Sequence, residues 1–394
     1  MDATDADVLI VGGGPVGLCL ALGLAQKNAR VTLVEAQEPI EGATQSFDGR
    51  VLALSQGSKH ILTQLNVWQD LEPFTTDILH VHVSQQGYFG LTLMHAEEMG
   101  VEALGYAIKA SDLGRVLWRK VHSQSGVEQV CPATLDGFTQ TAQEVTAHLS
   151  TRDGMKTLRA GLIVGADGTH SQVRKTLGLA LEQKSYDAWA ILAQVETQKP
   201  HQNWAFERFT QEGPVALLPL NTHSHKLVYV ASSERYQALL DLSDSAFIAA
   251  FRAKMGERFG PYTTISPRVA YPLKETYVNK VVVGRAVLMG NASHTQHPVA
   301  AQGLNLGLRD VSAFLAGVDD LTALDNRVRL AAYEQQRQQD HRKVMRLTDG
   351  LTQVFEHPSP LVGHARGLAM LGLQVMPNLK KRLARFSMQG ANVL

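Results

Sequence analysis

The sequence predicts a doubly wound α/β fold, interleaved with an antiparallel sheet and closed by a helical tail. Three observations carry this. The chain opens on an apolar strand, a glycine turn, an apolar helix and a second strand. Its middle reads as short strand-like runs with Pro and Gly around them. Its last 38 residues hold no acidic residue and read as apolar, basic helix. With 394 residues, 44% hydrophobic and 19% charged, the chain suits two domains with a sizeable core rather than extended disorder.

Taken in order, residues 7–11 form a β-branched run suited to a strand buried on both faces. Residues 12–17 are the turn, 18–27 an apolar helix, and 31–35 a second strand ending in an acid. Residues 8–26 lack charge and approach the length of a membrane span, yet Gly12-Gly13-Gly14-Pro15 breaks a helix there. Asp2, Asp5 and Asp7 precede it, where a secretory signal needs positive charge, so no span or signal is expected. From 181 to 277 come runs such as AWAILAQVE and KLVYVAS, then a helical stretch near 246–259. That looks like an antiparallel sheet inserted between two halves of a nucleotide-binding fold. The run VVVGRAVLMG after Lys280 returns to the buried strand type, and helical stretches follow at 310–316 and 327–346. The expected division assigns 1–75, 106–180 and 281–345 to the nucleotide-binding domain. Residues 76–105 and 181–280 form the substrate domain, and 346–394 a helical tail.

In that tail 361–376 is largely apolar, Pro377 follows, and Arg366, Lys380, Lys381, Arg382 and Arg385 supply the charge. Such a helix either lies on an anionic membrane surface or packs on the body with its charges solvated. The expected location is cytoplasmic, with peripheral attachment at the inner face of the membrane under the first reading. Lys+Arg and Asp+Glu both number 37 and the pI is near 7.3, so a general nucleic-acid binder is excluded. Cys19 and Cys131 build no disulfide framework and no CxxC zinc pair.

Gly12-x-Gly14-x-x-Gly17 carries the first chemistry. By chance alone about one such pattern is expected per four chains of this glycine content, so its context decides. It follows a strand, opens a helix, and precedes Glu35 at a strand end. Glycines let backbone approach a pyrophosphate at a helix N-terminus, and the acid accepts from a ribose diol. Further on, Ile163-Val-Gly-Ala-Asp167-Gly168-x-x-Ser171-x-x-Arg174 places Ser and Arg at helical spacing after Asp-Gly. Gly290-Asn291-Ala292-Ser293-His294 then leads through Pro298 to Gly303-Leu304-Asn305, with Asp310 beyond. A loop of that kind presents backbone N–H groups to the electron-rich edge of a flavin.

On these three motifs, in order and over nearly the whole chain, the sequence resembles the FAD-dependent aromatic hydroxylases of the para-hydroxybenzoate hydroxylase fold. Phe47-Asp48-Gly49-Arg50, the run 206–210 (FERFT) and the loop His297-Pro298-Val-Ala-Ala-Gln302-Gly303 make it similar to the ubiquinone-biosynthesis ring hydroxylases. Asn291, where most of the wider family carries Asp, is similar to the branch acting on 2-polyprenyl-6-methoxyphenol.

The resemblance implies a Rossmann-like FAD-binding domain and assigns residues. Gly12, Gly13, Gly14 and Gly17 would hold the FAD pyrophosphate and Glu35 the adenosine ribose. Arg50 would sit near the flavin, and Arg115 on the pyrophosphate or adenosine side. Asp167 would serve both FAD and NAD(P)H. Asn291 would stand near the ribityl chain or pyrophosphate, unless it only caps the next helix. Pro298, Gly303, Leu304 and Asn305 would face the isoalloxazine ring. Ala301 stands where the family usually has Gly, which leaves that loop's geometry open.

The activity so implied is ring hydroxylation of a polyprenylated phenol at carbon 1. NADH or NADPH reduces the flavin, dioxygen adds, and the hydroperoxide delivers OH. Implied partners are the polyprenylphenol lipid, a membrane surface and other ubiquinone-biosynthesis proteins. No catalytic side chain is assigned. His297 is a weak candidate that reads better as a loop histidine satisfied by backbone. His294 and His297 have no third ligand of suitable spacing, so no metal is expected. Tyr186 and Trp189 read as pocket wall or core. A hydroxylase of soluble phenols and a flavin-binding scaffold stay open as alternatives. A halogenase is disfavoured, because residues 214–219 read PVALLP rather than a Trp-x-Trp stretch.

Overall fold

A computed structural model describes residues 4–38, 50–296, 303–318, 321, 324–357 and 359–389. Three sheets organise them. The first has Ala6–Val11 at its centre, parallel to Val31–Val34 on one side and to Gly154–Gly165 on the other. Val127–Val130 extends it beyond Val31–Val34, and Ala286–Leu288 lies parallel beyond Gly154–Gly165. The antiparallel pair Ala133–Gln140 and Val145–Thr151 attaches to Gly154–Gly165. The core strands of this sheet are apolar on both faces because helices or further strands cover both, as a parallel sheet requires.

Helix Pro15–Gln26 is buried without interruption from Gly17 to Ala25, held between the sheet and helix Gly303–Ala316. That explains why its sequence is apolar all round. The run after Lys280 is not one strand as expected. Gly284 adopts φ +61°, and the chain reverses there between Val282–Val283 and Ala286–Leu288. Only Gly takes that conformation without strain, so the glycine splits the run.

The second sheet has nine strands. Its order is His294–Thr295, Val269–Tyr277, Glu182–Thr197, Ser224–Ser232, Val215–Pro219, Trp204–Phe209, His80–Gln85 and Leu91–His95, with Tyr262–Ile265 attached to Glu182–Thr197. All pairs are antiparallel except Trp204–Phe209 with His80–Gln85. The antiparallel sheet inserted between halves of the first is thus present. One face packs Ile191, Phe206, Leu217 and Tyr229 against Phe247, Phe251 and Met255 of helix Asp244–Met255. That helix starts at Ser243, whose Oγ accepts from Ala246 N at 3.3 Å, and stops at Gly256, φ +89°. A third sheet joins Val51–Ser55, Gly105–Lys109 and Thr75–Ile78.

Helix Arg327–Glu356 runs ten residues past the expected stretch, and Pro360–Val375 and Pro377–Gln389 follow. Pro360 stands in the first turn of its helix, where its missing N–H costs nothing. Helix Pro360–Val375 lies on the edge strand Leu91–His95, where Thr92 Oγ1 donates to Met370 O at 3.0 Å. Lys380 is buried and ion-paired with Glu98 at 2.7 Å. Among the described residues no helix is long and apolar enough to cross a membrane.

Candidate active site

The strand order brings the three motifs together at the carboxyl ends of adjacent strands, where open α/β sheets bind their ligands. Gly12 takes φ +110°, and a Cβ there would come under 3.0 Å from the Ala166 carbonyl. A Cβ on Gly17 would run into the Gly12 carbonyl oxygen, so this glycine lets the helix seat on the turn. Gly13 packs against Glu35 and Trp118. Gly14 differs: it is the N-cap of helix Pro15–Gln26, with no side-chain cap and nothing within 4 Å of where its Cβ would stand. The helix therefore presents uncapped N–H groups to open space, a cradle for an anion. Glu35 sits over the turn, accepting from Gly13 N at 2.5 Å through Oε2 and from Gln37 N at 2.9 Å through Oε1.

Asp167 ends the neighbouring strand's extension. Its Oδ2 accepts from Gln172 N (2.7 Å) and Val173 N (3.2 Å), starting helix Gln172–Thr176, while Oδ1 is buried without a partner. Ser171 caps the same helix, and buried Arg174 donates to Thr169 O (2.7 Å) and Ala292 O (2.9 Å). Arg174 thus ties the Asp-Gly motif to the Gly290–Ala292 turn. Asn291 is exposed on that turn between buried Gly290 and Ala292, so its amide is available to a ligand.

The turn is anchored from behind by a buried ion cluster. Asp310 Oδ2 accepts from Gly290 N at 2.9 Å, and Oδ1 accepts from Arg337 Nε at 2.7 Å with His341 Nε2 at 3.0 Å. Asp340 pairs with Arg337 at 2.8 Å and lies 3.3 Å from Arg309. Burial alone would raise the Asp310 carboxyl. The Arg337 guanidinium, with His294 and His341, instead holds it well below the usual carboxylate range. Burial, then His341, drives His294 well below the ordinary imidazole value. His294, Asp310 and His341 bring ligand-type atoms within 4.8 Å of one another. Both Asp310 oxygens are already committed and Arg337 balances its charge, so the set acts as an anchor for the turn. His294 lies against His341, ring centroids 4.1 Å apart, while His297 lies outside the described residues.

The remaining expected residues are placed as follows. Arg50 is exposed, 5.8 Å over the Tyr271 ring. Arg115 pairs with Asp112 at 2.8 Å within helix Ala110–His122 and lies over Phe74. Gly303 has open space where a Cβ would be, and Leu304 packs at the edge of the first core. Asn305 is buried: its amide donates to Ala53 O (3.0 Å) and its oxygen accepts from Ser55 N (2.9 Å) and Ser58 Oγ (2.6 Å). Its side chain thus fixes the helix start against strand Val51–Ser55. Phe47, Asp48, Gly49, His297, Pro298, Ala301 and Gln302 lie outside the described residues. Tyr186 Oη lies 2.6 Å from Glu275 and 2.7 Å from Asp349, and Trp189 stacks on Tyr236 at 4.1 Å. The hydroxyl of Tyr186 is thus engaged and the ring of Trp189 packed, rather than forming a bare pocket wall.

The open space ahead of Gly14, the acid over the turn and the orphaned Asp167 oxygen fit a dinucleotide carrying a pyrophosphate and a diol. A model of the FAD binding domain family matches residues 5–348. The chain is 33% identical over 392 residues to a Rhodospirillum rubrum protein named ubiquinone hydroxylase UbiL, covering 97% of this chain and 89% of that one. It is 31% identical over 310 residues to the Escherichia coli 3-demethoxyubiquinol 3-hydroxylase, 78% of each chain. Among solved structures, p-nitrophenol 4-monooxygenase PnpA from Pseudomonas putida superposes with TM-score 0.80 over all of both chains at 16% identity, which shows the fold. The chain belongs to the FAD binding domain family and is an FAD-dependent aromatic-ring monooxygenase of its ubiquinone-hydroxylase group.

Proposed function

We propose that this monooxygenase hydroxylates the ring of a polyprenylated phenol, 2-polyprenyl-6-methoxyphenol, at carbon 1. The observation that supports this most is the 33% identity to a ubiquinone hydroxylase across nearly the whole of both chains. A second reading, hydroxylation at position 3, is favoured by the name of the Escherichia coli relative.

When bound, FAD supplies the redox chemistry, taking a hydride from NAD(P)H and passing one oxygen atom of dioxygen to the ring. The chain's own residues bind and orient. The N–H groups opening helix Pro15–Gln26 would hold the pyrophosphate, and Glu35 would exchange the Gly13 N–H for ribose hydroxyls. Arg174 and Asp310 keep the Gly290–Ala292 turn, and with it Asn291, in register with Asp167. The antiparallel sheet would orient the phenol and exclude water.

A lipid substrate also gives the tail a role. Leu361, Leu368 and Val375 recur every seven residues on one face of helix Pro360–Val375 and are 81%, 68% and 77% exposed. Met376, Leu379 and Leu383 continue the exposed apolar surface, flanked by Lys381, Arg382 and Arg385 with no acid after Glu356. An apolar stripe with a cationic end fits an anionic membrane surface. The helix packs on the body through its other face, which leaves the exposed stripe open to such a surface. Mass-spectrometric quinone profiling of cells lacking the chain tests the function. Accumulation of 2-polyprenyl-6-methoxyphenol, cleared by restoring the gene, is expected. Accumulation of a 3-demethoxy quinol favours the second reading, and an unchanged profile refutes both.

A further inference from the structure

We propose that Glu207, on the face of the antiparallel sheet turned toward the cofactor domain and the C-terminal helices, takes the phenolic proton of the substrate. The inference rests on the phenol reading above. Strand residues alternate faces, and Phe206 belongs to the core beneath helix Asp244–Met255, so Glu207 and Phe209 point to the opposite face. The register sets Val83 beside Glu207 on one side and Ala216 on the other, followed by Val228 and Leu192 in the same row. One carboxylate thus stands in an apolar row.

Two boundaries enclose that face. Lys226, two residues from Val228 and so on the same face, donates to Val51 O at 2.6 Å. Tyr271, paired with Ala190 on that face, lies under Arg50. One end therefore abuts strand Val51–Ser55, which Asn305 ties to the start of helix Gly303–Ala316 at the cofactor site. At the other end Phe209 stacks on Phe355, ring centroids 3.6 Å apart, and Thr92, which pairs with Val83, bonds Met370 O. The C-terminal helices thus roof the face.

Glu207 lies deep in the protein yet keeps some accessible surface. Among the described residues it has no hydrogen-bond or ion-pair partner. The charged groups on the elements that bound this face are Lys226 and Glu275 from the sheet, Asp349 with Lys184 beside Tyr186, Arg50 from the cofactor side and Arg366 from the roof. Lys226 is engaged by Val51 O, Arg50 by Tyr271, and Arg366 by the Val354 and Phe355 carbonyls. None offsets burial, which pushes the Glu207 carboxyl up to about 7.

A base poised near neutrality suits a phenol. The O–H bond breaks, its electron pair stays on the phenolic oxygen, and the proton goes to a Glu207 oxygen. The phenolate pushes electron density to the ring position that is hydroxylated, and the carboxyl returns the proton to the product oxygen. No oxidant or reductant is consumed in this transfer.

The FAD-loaded enzyme and a short-chain 2-prenyl-6-methoxyphenol test the assignment, with hydroxylated product per NAD(P)H consumed as the readout. If the unaltered enzyme makes no product from this probe, the phenol reading fails by itself. If it does, its rate falls as pH drops below about 7, where the carboxyl is protonated. Glu207→Gln then loses product formation roughly 10²–10⁴-fold. It also loses that acid limb, while FAD content and FAD reduction are unchanged. A ring-fluorinated analogue, more acidic than the parent phenol, restores part of the variant's rate, and more of it as pH rises, which a packing role would not do. Glu207→Asp keeps the carboxyl and so the limb, at a reduced rate; it decides the matter if Glu207→Gln fails to hold FAD. A Gln variant with the rate and limb intact, no rescue by the acidic phenol, or an Asp variant without the limb overturns the proposal.

Discussion

Replacing Gly14 and Gly17 by alanine separates two roles that the same motif carries. At Gly17 the new methyl would meet the Gly12 carbonyl oxygen, far inside the 3.0 Å that Cβ atoms essentially never breach. The oxygen belongs to the turn's backbone and a Cβ is fixed to the helix, so the helix must lift off the turn. Overpacking of this kind costs about 1–3 kcal/mol, and more where backbone rather than a side chain must yield. At Gly14 nothing lies within 4 Å of the added methyl, and the backbone is extended at φ −72°, which any residue adopts. The apo stability of Gly14→Ala should therefore fall only by the N-cap preference for glycine over alanine, about 1 kcal/mol or less. The methyl would stand where the pyrophosphate is expected, and losing one or two charge-assisted hydrogen bonds there costs about 1.5–3 kcal/mol each. That is roughly 10- to 100-fold or more in FAD affinity. Urea unfolding of the FAD-stripped proteins and titration with FAD give both numbers. If Gly14→Ala holds FAD as tightly as the parent, the space ahead of that helix is not where the pyrophosphate lies, and the reasoning fails.

The other predictions concern charge and the tail. Asp310→Asn leaves the buried Arg337 guanidinium with Asp340 alone and should cost about 3 kcal/mol in urea unfolding, part of it recovered by adding Arg337→Met. Because the Asp310 carboxyl is held below its ordinary value, its contribution is complete above that ordinary value and is lost only as pH falls through its lowered one. The deficit should therefore be constant from pH 5 to 9. Glu207 has the opposite sign: its folded carboxyl sits at about 7 against an ordinary 4.5, so the folded state binds the extra proton. Stability attributable to it falls as pH rises through that window, and Glu207→Gln should gain on the parent above pH 7, by at most about 3 kcal/mol. Leu361→Ser with Leu368→Ser should leave melting unchanged but weaken co-sedimentation with phosphatidylglycerol vesicles at least tenfold, roughly the loss of two buried leucines.

The cofactor half was legible in the sequence because its signals are local. Gly12, Gly14, Gly17 and Glu35 fall within one βαβ unit, and Asp167 and Ser171 within one strand-to-helix turn, so spacing along the chain is also spacing in space. Arg174 was visible at helical spacing, but its reach to Ala292 crosses from one motif to another. Asp310 was visible too, yet its partners Arg337 and His341 sit on a later helix, and nothing in either segment announces the other. The strand expected after Lys280 failed on one residue, since an isolated glycine in an apolar run gives no sign of which φ it adopts. Glu207 was read only as part of a family run. Its face depends on the register of three strands, drawn from residues 80–85, 204–209 and 215–219.

The first sheet sets the order in which this enzyme can be finished as it leaves the ribosome. Strand Gly154–Gly165 finds Ala6–Val11 waiting for it, and Val145–Thr151 already covers residues 154–160 of its other edge, but the apolar end Ile163–Gly165 of that edge stays bare until Ala286–Leu288 emerges. At about 5–20 residues per second, the intervening roughly 120 residues leave that edge open for some 6–24 s. During that interval the antiparallel sheet is being made and the Gly290 turn does not exist, so FAD loading is a late event in biosynthesis. An exposed edge of apolar strand held for seconds invites pairing with other chains. Slow translation of the middle third, or scarcity of chaperones, should therefore lower the yield of this enzyme well before it lowers the stability of any molecule that is completed.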